Sequence, residues 1–190
     1  MKRLSISYYI DNIDNNLKKE FWSLFEPLNY KKGDFFMKYG ESIKILGCIN
    51  KGISRSFIMN PNNEEITMGF SIENDFITGG FNPGEPSNFY IEVIKDSTIL
   101  VADYYKIQDI RNKYIQIRKI FNAMADFYIS KKQNRMSKMN FTSAAERYEY
   151  FLKDYPGLIN RIPHYYIANY LGITPTQLSR VRKSIITKNK

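Results

Sequence analysis

Ile167-Ala-Asn-Tyr-Leu-Gly-Ile-Thr-Pro-Thr-Gln-Leu-Ser-Arg-Val-Arg-Lys183 reads as two short helices joined by a tight turn. Ile167 and Leu171 stand four apart, one turn along the same face of a first helix, and Ala168 offers a small side chain where two helices cross closely. Gly172 falls where the inter-helix turn needs positive φ, which glycine adopts without a Cβ penalty. Thr174 then reads as an N-cap, Pro175 suits the first helical position, and Gln177 completes a capping-box spacing. Leu178, Val181 and Ile185 recur at helical spacing and give the second helix a buried stripe. The pattern predicts a helix-turn-helix whose second helix begins at Pro175.

The opposite face of that helix carries Thr176, Gln177, Arg180 and Lys183, with Thr174 at its start and Ser179 and Arg182 flanking it. Gln pairs bidentately with adenine and Arg with guanine, and Thr offers a methyl or a hydroxyl to a base edge. These residues are the candidate DNA contacts. Apolar spacing alone is equally compatible with a three-helix bundle whose polar face is merely solvated. The coincidence of small residue, turn glycine, cap, proline and basic face favours double-stranded DNA.

Charge points the same way. Residues 111–190 hold 16 Lys+Arg against 4 Asp+Glu, a net +12, whereas residues 1–110 hold 12 against 15, a net −3. A strongly basic half beside a weakly acidic one suggests a polyanion partner, because Lys and Arg that neutralise phosphates release condensed counterions.

Composition narrows the remaining classes. At 190 residues, 43% hydrophobic and 25% charged, the chain has the make-up of a globular protein with one or two cores. No run approaches the ~18 apolar residues of a membrane span, and the segment after Met1 reaches Asp11 too soon for a signal-peptide core. Cys48 stands alone, which excludes an intrachain disulfide and a self-contained iron–sulfur site. A reducing cytoplasm is the expected setting, with no membrane association. His164 is the only histidine and precedes the first motif helix, a place for a helix-start or surface role. No Gly-rich phosphate loop, metal-ligand cluster or nucleophile–base motif occurs, so no enzyme activity, metal or cofactor is expected.

The chain changes character near residue 107. Eight of its ten glycines come earlier, separated by short Tyr-, Phe- and Ile-rich runs such as Asp34-Phe-Phe-Met-Lys-Tyr39 and Glu65-Ile-Thr-Met-Gly-Phe70. This predicts an antiparallel sandwich or roll over about residues 28–103. Leu17, Phe21, Leu24 and Phe25 predict a short helix within residues 11–27. After the roll, Ile107, Ile110, Tyr114, Ile117, Phe121, Met124 and Tyr128 follow at spacings of 3 and 4, a heptad seam. Such a seam on a long helix suggests a two-helix homodimer interface. The other reading packs the seam on the chain's own roll, a job that Ile115, Ile120 and Phe127 on other faces could do instead. The polar basic run Lys131-Lys-Gln-Asn-Arg135 is a candidate hinge. Ser143-Ala-Ala-Glu146 opens a further helix that ends before Pro156-Gly157.

This order of parts resembles the Crp/Fnr family of bacterial transcription regulators. The resemblance runs from about Leu28 to Ile186. It is most specific at Glu146-Arg-Tyr148, at Asp154-Tyr-Pro-Gly-Leu-Ile-Asn-Arg-Ile-Pro163 and in the helix-turn-helix, which look like the version common in Bacteroidetes-type members. Gly33, Gly40 and Gly52 match the family's roll glycines. The resemblance implies an α+β fold: an N-terminal antiparallel, cyclic-nucleotide-binding-like β-roll (1–106), a dimerisation helix (107–136) and a C-terminal winged helix-turn-helix (137–190). With few residues between Pro156 and Pro163, the wing is expected to be reduced. Base contacts would fall on Thr176, Gln177 and Arg180, and RNA polymerase is a further candidate partner.

At the effector site the sequence departs from the family. Members that bind cyclic AMP use a Glu for the ribose hydroxyl and an Arg for the phosphate. In the corresponding segment, Asp75-Phe-Ile-Thr-Gly-Gly-Phe-Asn-Pro-Gly-Glu-Pro-Ser-Asn-Phe-Tyr90, Gly79 and Ser87 take those places. With no cation nearby, a buried phosphate would lack its counter-charge. The expectation is a protein that does not bind cyclic AMP in the usual way, with Thr78, Glu85, Ser87 and Asn88 as candidates for another small-molecule effector. The alternative function is a dimeric ligand-binding or protein-interaction module that has lost DNA binding.

Overall fold

The computed structural model describes residues 6–188; the Met1–Ser5 start of the segment weighed against a signal peptide lies outside them. Two short helices, α1 (Ile6–Asp11) and α2 (Asn15–Trp22), precede the strands. The Asp14 side chain starts α2 by accepting from the backbone N–H groups of Asn16 and Leu17. The helix expected over 11–27 is therefore shorter. Residues 26–30 instead form strand β1 (Glu26–Tyr30), where Pro27, lacking an N–H, sits in an edge strand.

The sheet is antiparallel and built on two long strands, β3 (Ile45–Met59) and β6 (Tyr90–Asp103). They pair from Ile45↔Asp103 to Phe57↔Tyr90 with register shifts near Lys51. β1 and β2 (Phe35–Met37) add to β6, while β4 (Glu65–Ser71) and β5 (Phe76–Ile77) add to β3. One core fills the roll with Phe36, Ile49, Ile77, Val93 and Ile99. Between facing strands, buried Arg55 is paired with Glu92 at 2.6 Å and lies over the Phe57 ring.

A second core lies where α2 and the following helices meet the sheet. Asp103 caps α3 (Tyr104–Lys113), Tyr114 adopts an extended conformation (φ −118°, ψ 118°), and α4 (Ile115–Phe141) then runs for 27 residues. The heptad seam thus spans two helices. Its residues Ile107, Ile110, Ile117, Phe121 and Met124 are buried with Phe21, Leu46 and Phe76 of the same chain. Tyr114 and Tyr128 complete it by donating hydroxyl hydrogen bonds to Glu20 Oε2 at 2.7 Å and to the Phe76 carbonyl at 3.0 Å. The Tyr114 and Lys113 hydrogen bonds hold the Glu20 carboxyl below its ordinary range.

This corrects the dimer assignment of Ile110, Tyr114, Ile117, Phe121, Met124 and Tyr128. A 3–4 repeat specifies an apolar stripe but not what covers it, and here the chain's own roll covers it. The candidate hinge at Lys131–Arg135 is helical and continuous with α4.

The chain divides into two compact units, one of residues 1–58 and 69–128, the other of residues 59–68 and 129–190. In the second unit, α5 (Ala144–Asp154) opens with the expected capping box between Ser143 and Glu146. A 3₁₀ turn (Leu158–Asn160) follows, then α6 (His164–Leu171) and α7 (Pro175–Lys188). Phe151, Tyr155 and Tyr170 form its aromatic centre, with ring centroids 5.4–5.9 Å apart. No strand forms among the described residues 129–188, so this unit's only strand residues come from the β3–β4 hairpin tip.

Phe121 is 3% exposed. Phe121→Ala is expected to lower stability by about 3–5 kcal/mol in chemical denaturation. Phe127→Ala, at a side chain 37% exposed on another face of α4, is expected to cost under about 1 kcal/mol.

Candidate nucleic-acid interface

The helix-turn-helix forms as its residue types require. Ile167, Ala168 and Leu171 of α6 and Leu178 of α7 are each at most 1% exposed, so the two helices bury their shared face. Gly172 ends α6 in the left-handed region (φ 65°, ψ 37°). Its neighbour Ile173 donates its N–H to the Ala168 carbonyl at 3.0 Å, closing the helix end. Thr174 Oγ1 accepts from the Gln177 N–H at 3.2 Å, and Gln177 Oε1 accepts from the Thr174 N–H at 2.9 Å. That reciprocal pair fixes the first turn of α7 and sets its orientation to the bundle.

Thr176, Gln177, Ser179, Arg180 and Lys183 of α7 and Thr174 just before it all lie exposed. Arg182 is half-buried, its Nη1 3.0 Å from both ring nitrogens of His164 at the start of α6. It is thereby the member of the set least available to a base edge. Gln177 has a double part, since its Oε1 caps the helix while its amide group remains at the surface. Residues 129–190 hold 12 Lys+Arg against 3 Asp+Glu, and with Glu64 and Glu65 of the hairpin tip the unit holds 12 against 5, which leaves it a strongly positive field.

Two interface-supporting residues were not singled out from the sequence. Asn169, on the polar side of α6, binds the β3–β4 tip: its Oδ1 accepts from the Thr67 N–H and its Nδ2 donates to the Glu65 carbonyl, both at 2.7 Å. Arg135 of α4 donates to the carbonyls of Thr67 at 2.8 Å and Tyr170 at 3.1 Å, with its guanidinium 5.0 Å from the Tyr170 ring centre. The Asn169 partners lie more than a hundred positions away, and no local spacing announces such a pairing. Beside them opens a cleft of about 870 Å³, lined among others by Asn60, Glu64, Asn169, Thr174 and Gln177.

The candidate effector residues have structural partners. Ser87 is 1% exposed and donates to the Phe89 carbonyl at 2.7 Å, and the Thr78 hydroxyl faces the Ile45 carbonyl at 3.4 Å. Glu85 is exposed and accepts from Asn82 at 2.9 Å, and Asn88 is exposed. A Cβ at Gly79 would lie 2.7 Å from Ser87 Oγ and 3.0 Å from Ile43 Cγ1, so Ser87 fills the space a side chain there would need. The expectation that no cation lies nearby is corrected. Arg111 of α3 donates to the Phe81 carbonyl at 3.3 Å and stacks over Phe121; its distance in sequence hid it. Burial, followed by Asp75 and Asp11, pushes the Cys48 thiol up to about 12, which leaves no thiolate for chemistry at neutral pH.

No protein-family profile and no curated protein matches the sequence. Solved structures do match the fold. FixK2 from Bradyrhizobium japonicum superposes with a TM-score of 0.78 at 18% identity, covering 87% of this chain and 86% of that one. The c-di-GMP responsive global regulator CLP from Xanthomonas campestris gives 0.72 at 13% identity over 93% of each chain. A transcriptional regulator of the Crp/Fnr family from Eubacterium rectale gives 0.69 at 18% identity over 94% of this chain and 86% of that one. The chain therefore has the Crp/Fnr-type fold, an α+β arrangement of antiparallel roll and helices. Among the described residues, no helix is long and apolar enough to cross a membrane.

Gly172→Ala places a Cβ in the left-handed region and against Met139 Cε. It is expected to destabilise the second unit by more than about 1 kcal/mol, read as a lower denaturation midpoint.

Proposed function

We propose that this chain is a sequence-specific DNA-binding transcription regulator of Crp/Fnr type that binds a pseudo-palindromic duplex as a homodimer. The observation that carries this reading is the capped turn from Gly172 to Gln177, which presents Thr176, Gln177, Arg180 and Lys183 together on the exposed side of α7. Placed in a major groove, that row offers an amide, a guanidinium, a hydroxyl and an ammonium to base edges and phosphates. The positive charge of residues 129–190 supplies the sequence-independent attraction. Described relatives in fold are transcription regulators, which supports the same assignment.

Homodimerisation in this reading uses the face of α4 that the roll leaves uncovered. Ala123 and Phe127 stand exposed there one turn apart, beside Ile120, which is half-buried against the core. On a pseudo-palindrome the two recognition helices would read half-sites about one DNA turn, ~34 Å, apart. The effector is not cyclic AMP bound in the family's usual way, because Ser87 fills the space beside Gly79. RNA polymerase is the further partner of such a regulator, and the cytoplasm its setting.

Duplex binding followed by fluorescence anisotropy over a range of salt tests the reading. Binding that weakens with a log–log slope of several units supports it, since each phosphate contact contributes about −0.9; a flat response contradicts it. Arg180→Ala is expected to weaken specific binding by about 1–3 kcal/mol and to relax one base preference. Lys183→Ala is expected to weaken all sequences alike and to reduce the salt slope by about 1. Phe127→Glu is expected to shift sedimentation from dimer to monomer with the thermal midpoint of the roll little changed.

A further inference from the structure

We propose that the acidic tip of the β3–β4 hairpin is an electrostatic strap on the recognition helix, lowering its affinity for DNA while it is held in place. The inference rests on the DNA-binding reading of α7 and adds a regulatory element to it.

Tip residues 59–68 belong to the compact unit that contains the helix-turn-helix, although β3 and β4 themselves are strands of the roll. They are held there by a specific set of bonds. The Asn169 side-chain amide satisfies the Thr67 N–H and the Glu65 carbonyl together, as a neighbouring strand would, and Arg135 takes the Thr67 carbonyl. Thr67 is fully buried. A backbone N–H and two carbonyls of β4 are thus satisfied by side chains of α4 and α6, so the tip cannot leave without exchanging these bonds for water.

The tip is also shaped locally. Asn60 Oδ1 accepts from the N–H groups of Asn62 and Glu64, both at 2.9 Å, and Asn60 Nδ2 donates to Glu64 Oε2 at 2.8 Å. Asn63 takes the left-handed conformation that the tight turn needs, at φ 59°. These bonds fix Glu64 at the cleft whose lining includes Glu64, Glu65, Thr174 and Gln177.

Charge gives this arrangement its consequence. The ten tip residues contain two carboxylates and no Lys or Arg, within a unit that is otherwise strongly basic. A duplex that reaches Gln177 brings phosphates to the same cleft. At about 8–10 Å of screening length, carboxylates that line it repel them. Gln177 remains exposed, so the strap acts through charge rather than by covering the helix. Because β3 and β4 continue from the tip into the roll, a shift of those strands that broke the Asn169 and Arg135 bonds would release the strap. The roll would thereby control DNA affinity through the hairpin.

The test is a double variant, Glu64→Gln with Glu65→Gln, which keeps side-chain size and removes both charges. Affinity for a selected duplex is measured at about 0.05 M and about 0.3 M salt beside wild type. A control, Glu26→Gln with Asp109→Asn, makes the same change in net charge within the other unit. The expected result is roughly five- to tenfold tighter binding at low salt, falling to under about twofold at high salt, with the control unchanged. Unchanged or weaker binding by the double variant, or an equal gain in the control, overturns the strap while leaving DNA binding intact. If neither wild type nor the double variant binds any duplex, the DNA-binding reading falls, and the strap with it.

Discussion

The backbone of Gly172 turns through φ 65° and ψ 37°, and the direction of every exposed side chain on α7 follows from that turn. The reciprocal Thr174–Gln177 hydrogen bonds then fix where α7 begins. Rotating the start of α7 by one residue would turn its outward row by about 100°, burying Arg180 or Gln177 and exposing Leu178. Turn and cap together decide which residues α7 turns outward and which it buries. The counterpart on the inner side is the burial of Ile167, Ala168 and Leu171 of α6 and Leu178 of α7, each at most 1% exposed.

The long-helix region shows a different constraint. Its apolar stripe is covered by the same chain, through Phe121 against Phe21 and Ile117 within the second core of the first unit. The extended Tyr114 breaks the helix there, and its hydroxyl reaches Glu20 of α2. This embeds the start of α4 in the roll and leaves Phe127 exposed on another face. The same logic accounts for the β3–β4 hairpin. Its stems are satisfied within the sheet, whereas its tip finds its partners in Asn169 and Arg135.

Much of this was legible in the sequence because its signals are local. The Ser143–Glu146 and Thr174–Gln177 boxes, the left-handed Gly172 and the buried spacing of Ile167, Leu171 and Leu178 each depend on residues within a few positions of one another. The alternation of glycine and aromatic-rich runs likewise marked an antiparallel roll. Where partners are distant, the signal is missing. The burying surface of the heptad seam comes from residues as far back as Phe21, so periodicity showed the stripe and not its cover. Arg111 beside Phe81, and Asn169 on Thr67, are long-range pairings that no spacing encodes. Thr78 and Ser87 lie in the segment that corresponds to the family's effector site, but their hydroxyls are directed to backbone carbonyls.

The most direct test of the central claim is selection of bound sequences from a random duplex library with purified protein and no added ligand. The account predicts enrichment of a two-fold symmetric site whose half-site centres lie about 10 base pairs, or a multiple of that, apart. Failure to enrich any sequence, while the protein remains folded and dimeric, would contradict it.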